Sequence, residues 1–239
     1  MHWHIIEGKE GCAFARDHGC ITVVVDALRA SCTAAMLLEA GAEDLTLVPD
    51  VETALTMKHD NPDLVLVGER NGLPPGGFDL GNSPRNIPDL SGKSVAFTTS
   101  NGTALMLEAW GGQPLYMASI TNGSELIQHV LPEERDVVLI PAGLSGDPTF
   151  SSQEDWVAAA AIVMLTQHPV GEGAIEFREW QHMMSLDGVG KLFQTAPHAQ
   201  NLRDLGLEED IAFCARPNLS KIVPKAIART DDGILLKRA

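Results

Sequence analysis

The sequence predicts an α/β protein whose mostly parallel sheet is covered by helices. Three observations support this. Short apolar runs typical of buried strands recur along the first two-thirds of the chain. Stretches of helical length separate them, an alternation typical of parallel strands joined by crossover helices. Residues 33–42 (TAAMLLEAGA) also resemble residues 103–112 (TALMLEAWGG), a shift of 103 − 33 = 70 positions.

The elements are predicted in chain order from these patterns. Apolar or β-branched runs predict strands at residues 21–26, 44–49, 63–68, 94–99, 114–119 and 136–142. The intervening stretches predict helices at residues 30–40, 51–59, 102–110, 122–131 and 153–167. In the last third, we expect short helices within 175–206 and strands at 211–215 and 234–237.

The repeat indicates two related βαβαβ units, residues 20–72 and 93–146, which could derive from an internal duplication. A chain of 239 residues has enough length for one large core or for two small lobes. We predict one compact domain over 1–239, with possible lobes at about 1–90 and 91–239.

Composition narrows the classes of function. Hydrophobic residues make up 44% of the chain, and the formal charge is −15, which argues against nucleic-acid binding. No apolar run reaches the roughly 18 residues of a membrane span, and no signal peptide is visible. We expect a cytoplasmic protein with no membrane partner. The four cysteines lack C-x-x-C spacing, so they are expected to be reduced and mostly buried.

The junction between the predicted strand 94–99 and helix 102–110 is rich in hydrogen-bond donors. A helix start offers free N–H groups and the positive end of the helix dipole, which suit an anion. Helix capping is the alternative for any one of these polar residues. The candidate anion ligands are Thr99, Ser100, Asn101, Gly102 and Thr103.

Ligands of open α/β sheets bind beyond the carboxyl ends of the strands. The loops at 26–31, 68–72, 98–103 and 141–146 are therefore candidates for one shared crevice, to which the last contributes Gly143. A protein of negative charge needs a local arginine or a divalent cation to hold an anion there.

Two carboxylates are each followed closely by an arginine. Asp26 ends one predicted strand and Arg29 follows, while Glu69 ends another and Arg70 follows at once. Each arginine could clamp an oxyanion, or could simply pair with a carboxylate of the protein.

A long glycine- and proline-rich loop, residues 71–84, follows Arg70. Loops of this length are often functional, although a surface excursion is the alternative. Its candidate ligands are Asp79, Asn82 and Ser83.

Oxygen ligands with few histidines favour Mg²⁺, for which Asp26, Glu69 and Asp79 are the candidates. Glu154 and Asp155 would also qualify, but they follow Ser151 and Ser152, so helix capping is the favoured interpretation for them. Motifs of P-loop NTPases, dinucleotide-binding enzymes, zincins and triad esterases are absent from the sequence.

Several of these segments together resemble the 2-phosphosulfolactate phosphatase family. The matching segments, in order, are VVDALRAS (24–31), GERNG (68–72), GFDLGNSP (77–84), TTSNGT (98–103), AG (142–143) and ED (154–155). The resemblance implies an α/β fold of its own, a homo-oligomer (a dimer), and a Mg²⁺-dependent phosphatase. Its substrate would be 2-phospho-3-sulfolactate, in coenzyme M biosynthesis. One departure concerns APHA (196–199), where the family often has a Ser-x-His-Gly-like element, so the role of His198 is open.

The sequence thus predicts magnesium-assisted hydrolysis of a small anionic phosphomonoester. Asp26 and Glu69 would anchor the cation, and Arg29, Arg70 and residues 100–103 would hold the phosphoryl oxygens. A non-catalytic binding module for a phosphate or sulfonate metabolite is the main alternative. Hydrolysis of another ester or anhydride at the same cation is a second.

Overall fold

A sheet runs through the whole protein in the computed structural model, which describes residues 1–143 and 152–239. Within these residues the sheet has nine strands. They are β1 (Trp3–Ile5), β2 (Ile21–Val25), β3 (Asp44–Leu47), β4 (Val65–Gly68), β5 (Ser94–Thr98), β6 (Leu115–Met117), β7 (Val137–Pro141), β8 (Pro224–Arg229) and β9 (Ile234–Arg238).

Helices connect most of these strands. They are α1 (Gly8–His18), α2 (Ala30–Glu39), α3 (Val51–Asp60), α4 (Gly102–Ala109), α5 (Gly123–Val130), α6 (Gln153–Met164), α7 (Ala174–Thr195), α8 (Pro197–Asp204) and α9 (Glu208–Cys214). Helix α7 is kinked at Gly188, whose φ of 75° and ψ of 154° are not helical. The six strands and five helices predicted before residue 168 are all present.

The strand order is β1-β7-β2-β6-β8-β9-β3-β5-β4. Strands β1, β7, β2 and β6 form one parallel group, and β3, β5 and β4 form another. The pairs β6–β8, β8–β9 and β9–β3 are antiparallel, so the β8–β9 hairpin joins the two groups and they run in opposite senses. The predicted α/β fold with a mostly parallel sheet is confirmed.

The two predicted βαβαβ units interleave in this order. The first strand of each unit, β2 or β5, lies between the second and third strands of the other unit. Apart from β1, the order is therefore symmetric about the β8–β9 hairpin, an arrangement that a duplication would produce, although the duplication itself stays a prediction. Strands that precede residue 90 in the chain and strands that follow it are interspersed along the sheet. A boundary at residue 90 would therefore not separate the sheet into two parts.

Both faces of the central strands are buried, so their sequences are continuous apolar runs rather than alternating ones. In β2, Val23 packs into one core cluster and Val24 into the other. All four cysteines are buried and unpaired, as expected.

The predicted strand at 211–215 is wrong, because these residues fall in and just after helix α9. Three acidic residues in its first turn suit the positive end of the helix dipole. Ile211 and Cys214 lie on one buried face at helical spacing, which a short apolar run cannot distinguish from a strand. Strand β9 confirms the prediction at 234–237, while β1, α1 and β8 were not predicted.

The loop after β4 covers the edge of the sheet. Leu80 forms a bridge with Val67, and the amides of Asp79 and Leu80 donate to the carbonyl of Leu66. The loop thus satisfies the exposed backbone groups of an edge strand. Among the described helices, none is long and apolar enough to cross a bilayer.

We expect Gly233→Ala to destabilise the fold. A Cβ at this position would overlap the carbonyl oxygen of Leu47, at the point where β9 meets β3. Overpacking against backbone should lower the free energy of unfolding by about 2–3 kcal/mol. Gly76→Ala, where a Cβ has open space, is the control and should change stability little. Urea unfolding measures the free energy of unfolding of each variant. If Gly233→Ala and Gly76→Ala are equally stable, the close packing at Gly233 is not a constraint on the fold.

Candidate active site

Two strand-to-helix junctions meet at the candidate site. Gly102, the first residue of α4, packs directly on the junction between β2 and α2. A Cβ on Gly102 would lie 2.5 Å from Asp26 Oδ2 and 2.8 Å from Ala30 Cβ. Only a glycine allows this approach, which brings the N-terminal ends of α2 and α4 together beside Asp26. The positive ends of both helix dipoles therefore face this region.

Asp26 is held in a fixed orientation just after β2. Its Oδ1 accepts a hydrogen bond from Ala30 N at 3.1 Å, and its own amide donates to Ser31 Oγ at 2.9 Å. The residue is 7% exposed. Burial raises the pKa of Asp26 to about 6, with Glu69 and Glu154 adding to the rise and His198 and the Ala30 amide opposing it.

Asp155, in the first turn of α6, is tied to two of the predicted loops. Its Oδ1 accepts from Ala27 N at 2.7 Å, and its Oδ2 accepts from Gly143 N at 3.1 Å. Burial raises the pKa of Asp155 well above its usual value, and the charges of Glu154 and Asp26 raise it further. This carboxylate therefore joins α6 to the ends of β2 and β7.

Glu154 faces His198. Glu154 Oε1 lies 3.3 Å from His198 Nδ1, and Glu154 is buried. Burial alone would lower the pKa of His198, but the hydrogen bond and charge of Glu154, together with Asp26, outweigh it and raise the pKa. Within the described residues, Glu154 Oε2 and Ser152 Oγ are buried without a hydrogen-bond partner.

The carboxylates of Asp26, Glu154 and Asp155 surround a small pocket. Its other lining residues are Leu28, Asn101, Gly143, Ser152 and His198. Three buried acids facing one histidine favour a cation, and unpartnered oxygens suit the hard ligand preference of Mg²⁺. Across residues 1–143 and 152–239, no set of three or more His, Cys, Asp or Glu side chains forms a metal site by itself. A cation here would take its remaining ligands from water and substrate.

Glu69 occupies the predicted anion-binding turn. Its Oε1 accepts from Ser100 N at 2.7 Å and its Oε2 accepts from Gly72 N at 2.8 Å, with Ser100 Oγ at 3.3 Å from Oε2. The Ser100 amide that we predicted for phosphate therefore holds a carboxylate of the protein itself.

Thr99 and Thr103 form a reciprocal pair at the start of α4. Thr99 N donates to Thr103 Oγ1 at 2.9 Å, and Thr103 N donates to Thr99 Oγ1 at 3.1 Å. For these two threonines the observed contacts are those of the capping alternative. Asn101 lines the pocket, and Gly102 contributes its lack of a side chain.

The partner of Arg29 is Asp210 rather than Asp26. The Arg29 guanidinium donates to Asp210 Oδ2 at 2.7 Å and to the Gly72 carbonyl at 2.9 Å. Arg29 is 3% exposed and Asp210 is 1% exposed. The pair therefore fixes α9 and the loop after β4 against the start of α2.

Arg70 also contacts the protein itself. Its guanidinium donates to the Glu69 carbonyl at 2.6 Å and to Thr98 Oγ1 at 2.9 Å. Both arginines predicted to hold phosphate thus make structural contacts, which leaves their catalytic role a prediction.

The predicted ligands of the long loop lie in three different settings. Ser83 Oγ donates to Asp210 Oδ1 at 2.8 Å, and the Asn82 carbonyl accepts from Thr33 Oγ1 at 3.2 Å. Asp79 Oδ2 accepts from Leu66 N at 2.8 Å and from Lys58 Nζ at 3.1 Å. Asp79 therefore secures the loop to the edge of β4 and does not line the pocket.

Sequence reasoning undervalued Glu154 and Asp155, and it noted Asp210 only as a weak match to the family without placing it at the site. Ser152, at the N-cap of α6, makes no side-chain cap hydrogen bond, and Ser151 lies outside the described residues, as do 144–146 of the fourth predicted loop. A usable signal was that α6 continues as WVAAAAIVM, which is apolar on every side. A helix of this kind is buried, so acids in its first turn are buried with it.

The sequence model of the family described as 2-phosphosulpholactate phosphatase matches residues 9–228 of the chain. The chain belongs to this family. A probable 2-phosphosulfolactate phosphatase of Thermus thermophilus is 34% identical over 231 residues, covering 92% of this chain and 93% of its own. Proteins with the same description from Pseudothermotoga lettingae (35% over 211 residues, 88% and 90%) and Carboxydothermus hydrogenoformans (33% over 207 residues, 85% and 84%) are also similar.

The 2-phosphosulpholactate phosphatase match includes the whole candidate site. Its first junction, at Asp26, and its last contact, at Asp210, both lie within residues 9–228. The segment from β7 through α9 therefore lies inside the matched range.

In this 2-phosphosulpholactate phosphatase family member, we expect Asp210→Asn to destabilise the fold strongly. Loss of the carboxylate charge leaves the Arg29 guanidinium buried without a counter-charge, which costs about 3 kcal/mol or more. Glu209→Gln is the matched control on the same turn, because Glu209 is exposed and its pair with Arg85 lies at the surface. Thermal unfolding compares the two variants, and similar small losses would show that the buried pair contributes little.

We expect Asp26→Asn to stabilise the metal-free protein at pH 8. The native pKa of about 6 exceeds the ordinary 3.8, so the folded state binds this proton more tightly. Ionised Asp26 therefore opposes folding above pH 6, by up to about 3 kcal/mol, and not below pH 4. Unfolding in chelator should show a gain at pH 8 that disappears towards pH 4. Asp60→Asn, at the exposed end of α3, is the control. If Asp26→Asn is less stable than the wild type at pH 8, the raised pKa of Asp26 is contradicted.

Proposed function

We propose that this protein is a magnesium-dependent phosphomonoester hydrolase that converts 2-phospho-3-sulfolactate into 3-sulfolactate and phosphate. The observation that carries the proposal is the family match over residues 9–228. The relatives' shared description as probable 2-phosphosulfolactate phosphatases supports the choice of substrate.

Asp26 and Asp155 would hold the Mg²⁺ ion. Their carboxylates are fixed by backbone amides of Ala30, Ala27 and Gly143, which leaves lone pairs on each carboxylate for a cation. Their raised pKa values measure how strongly the pocket disfavours uncompensated charge. When bound, the ion neutralises phosphate charge and lowers the pKa of a bound water.

The Mg²⁺ ligands proposed here differ from those predicted from the sequence. Glu69 is close enough to raise the pKa of Asp26, but it does not line the pocket, and its two oxygens accept hydrogen bonds from the amides of Ser100 and of Gly72 in its own loop. Asp79 lies at the β4 edge. We therefore assign Glu69 and Asp79 to positioning the loops, and we keep Asp26 from the original set.

The remaining residues would shape the anion site. The joined N-terminal ends of α2 and α4 bring positive potential to the phosphate despite a formal charge of −15. Asn101, Gly143 and Ser152 line the pocket, and the amide of Asn101 and the hydroxyl of Ser152 are groups that can donate, while Leu28 supplies an apolar wall that limits water. Arg29 and Arg70 would keep residues 69–72 in place around the substrate.

A direct assay of phosphate release tests the proposal. The wild type should release phosphate from 2-phosphosulfolactate with Mg²⁺, and addition of EDTA should abolish the release. Asp26→Asn and Asp155→Asn should each lose at least about a hundredfold in kcat/KM. Asp60→Asn, an acid-to-amide change at the surface, should retain full turnover.

Other outcomes distinguish the alternatives. Binding of 2-phosphosulfolactate by calorimetry without release from any phosphomonoester would identify a binding module and overturn the enzyme proposal. Full activity in EDTA, or in both pocket variants, would overturn the metal assignment alone. Participation in coenzyme M biosynthesis and a dimeric state stay predictions from the resemblance.

A further inference from the structure

His198 differs from the other ion-paired histidines in the described chain. His2, His4, His59 and His129 pair with carboxylates that are 29% exposed or more. The partner of His198 is Glu154, whose side chain is 3% exposed. A buried carboxylate beside an imidazole is the arrangement that fixes ring orientation and tautomer in proton-transfer sites.

The position of His198 relates it to the candidate chemistry. It is the second residue of helix α8 and lines the same pocket as Asp26 and Asp155, with a side chain 28% exposed at the rim. Its Nδ1 faces Glu154 Oε1 at 3.3 Å, so a proton on Nδ1 is held by Glu154. Proton exchange with a bound ester would therefore use the opposite ring nitrogen, Nε2.

We propose that His198, oriented by Glu154, is the general acid that protonates the leaving oxygen of the phosphomonoester. This inference rests on the proposed phosphatase function and adds a catalytic residue to it. Buried Glu154 is the positioning residue, because it acts through the imidazole rather than on the substrate.

The protonation state of the imidazole agrees with this role. Burial would lower the pKa of His198, but hydrogen bonding and charge from Glu154, and the charge of Asp26, raise it overall, against the smaller opposing effect of Arg29. A raised pKa increases the fraction of imidazolium near neutral pH, the form that donates a proton.

A water oxygen forms a bond to phosphorus while the bond from phosphorus to the ester oxygen breaks, and its electron pair goes to that oxygen. The Nε2 proton of His198 moves to the same oxygen and yields the alcohol. One proton of the attacking water stays on the phosphate, and the other returns to His198 through solvent, which restores the imidazolium.

Leaving-group dependence tests this role. An alkyl phosphate such as 2-phosphosulfolactate releases a poor leaving group that needs the proton, whereas acetyl phosphate releases acetate, which does not. We expect His198→Gln to lower kcat about 10²- to 10⁴-fold for the alkyl ester and only a few-fold for acetyl phosphate. The ratio of the two rates is the readout, because it is independent of the fraction of enzyme that folds.

Two further variants complete the design. Glu154→Gln should shift the same ratio in the same direction but less, since glutamine still accepts from Nδ1 and lacks the charge. His129→Gln removes a histidine of a surface His–Glu pair and should leave the ratio at the wild-type value.

The outcomes separate the inference from the function on which it rests. Equal losses on both substrates in His198→Gln would overturn the general-acid role while leaving the phosphatase intact. A wild type that hydrolyses neither substrate would instead contradict the proposed function.

Discussion

The close packing of Gly102 on Asp26 is the contact on which the rest of the site depends. It joins the starts of two helices that belong to strands from opposite parallel groups of the sheet. Any side chain at this position would separate the two helix starts and push the Asp26 carboxylate away. The symmetric strand order makes such a meeting possible, because it places β2 and β5 at equivalent positions on either side of the β8–β9 hairpin.

The net negative charge of the protein has to be offset locally at the candidate site. An overall excess of acid repels an anionic substrate, so a usable site needs compensating positive potential. The Ser100 amide near the start of α4 is one source of positive potential, and it already donates a hydrogen bond to the Glu69 carboxylate. The carboxylates of Asp26, Glu154 and Asp155 line the pocket together with a single histidine, and the proposed Mg²⁺ ion would offset their negative charge.

The last third of the chain completes the site through buried polar contacts rather than through sheet pairing. Asp210 on α9 holds Arg29, and Arg29 in turn holds the loop at Gly72. His198 at α8 contacts Glu154 on α6. These long-range pairs connect a region with weak secondary-structure patterns to the starts of α2 and α6.

The alternation of apolar runs and helical stretches was sufficient to predict the order and type of the strands and α-helices between residues 21 and 168, because burial on both faces of a parallel sheet leaves a local pattern. Asp26 and Asn101 were predicted as site residues because both follow the end of a strand, and both line the pocket. The partners of Arg29, Glu69 and Asp79 could not be predicted, because each is chosen by distance in space among many groups of suitable charge. Asp210 lies 181 positions from Arg29. By itself, then, the sequence determined the α/β class, the family and the loops that carry the site. Only the tertiary structure decided which carboxylates face the pocket and which secure its walls, because that choice depends on burial and contact between chain segments far apart in sequence.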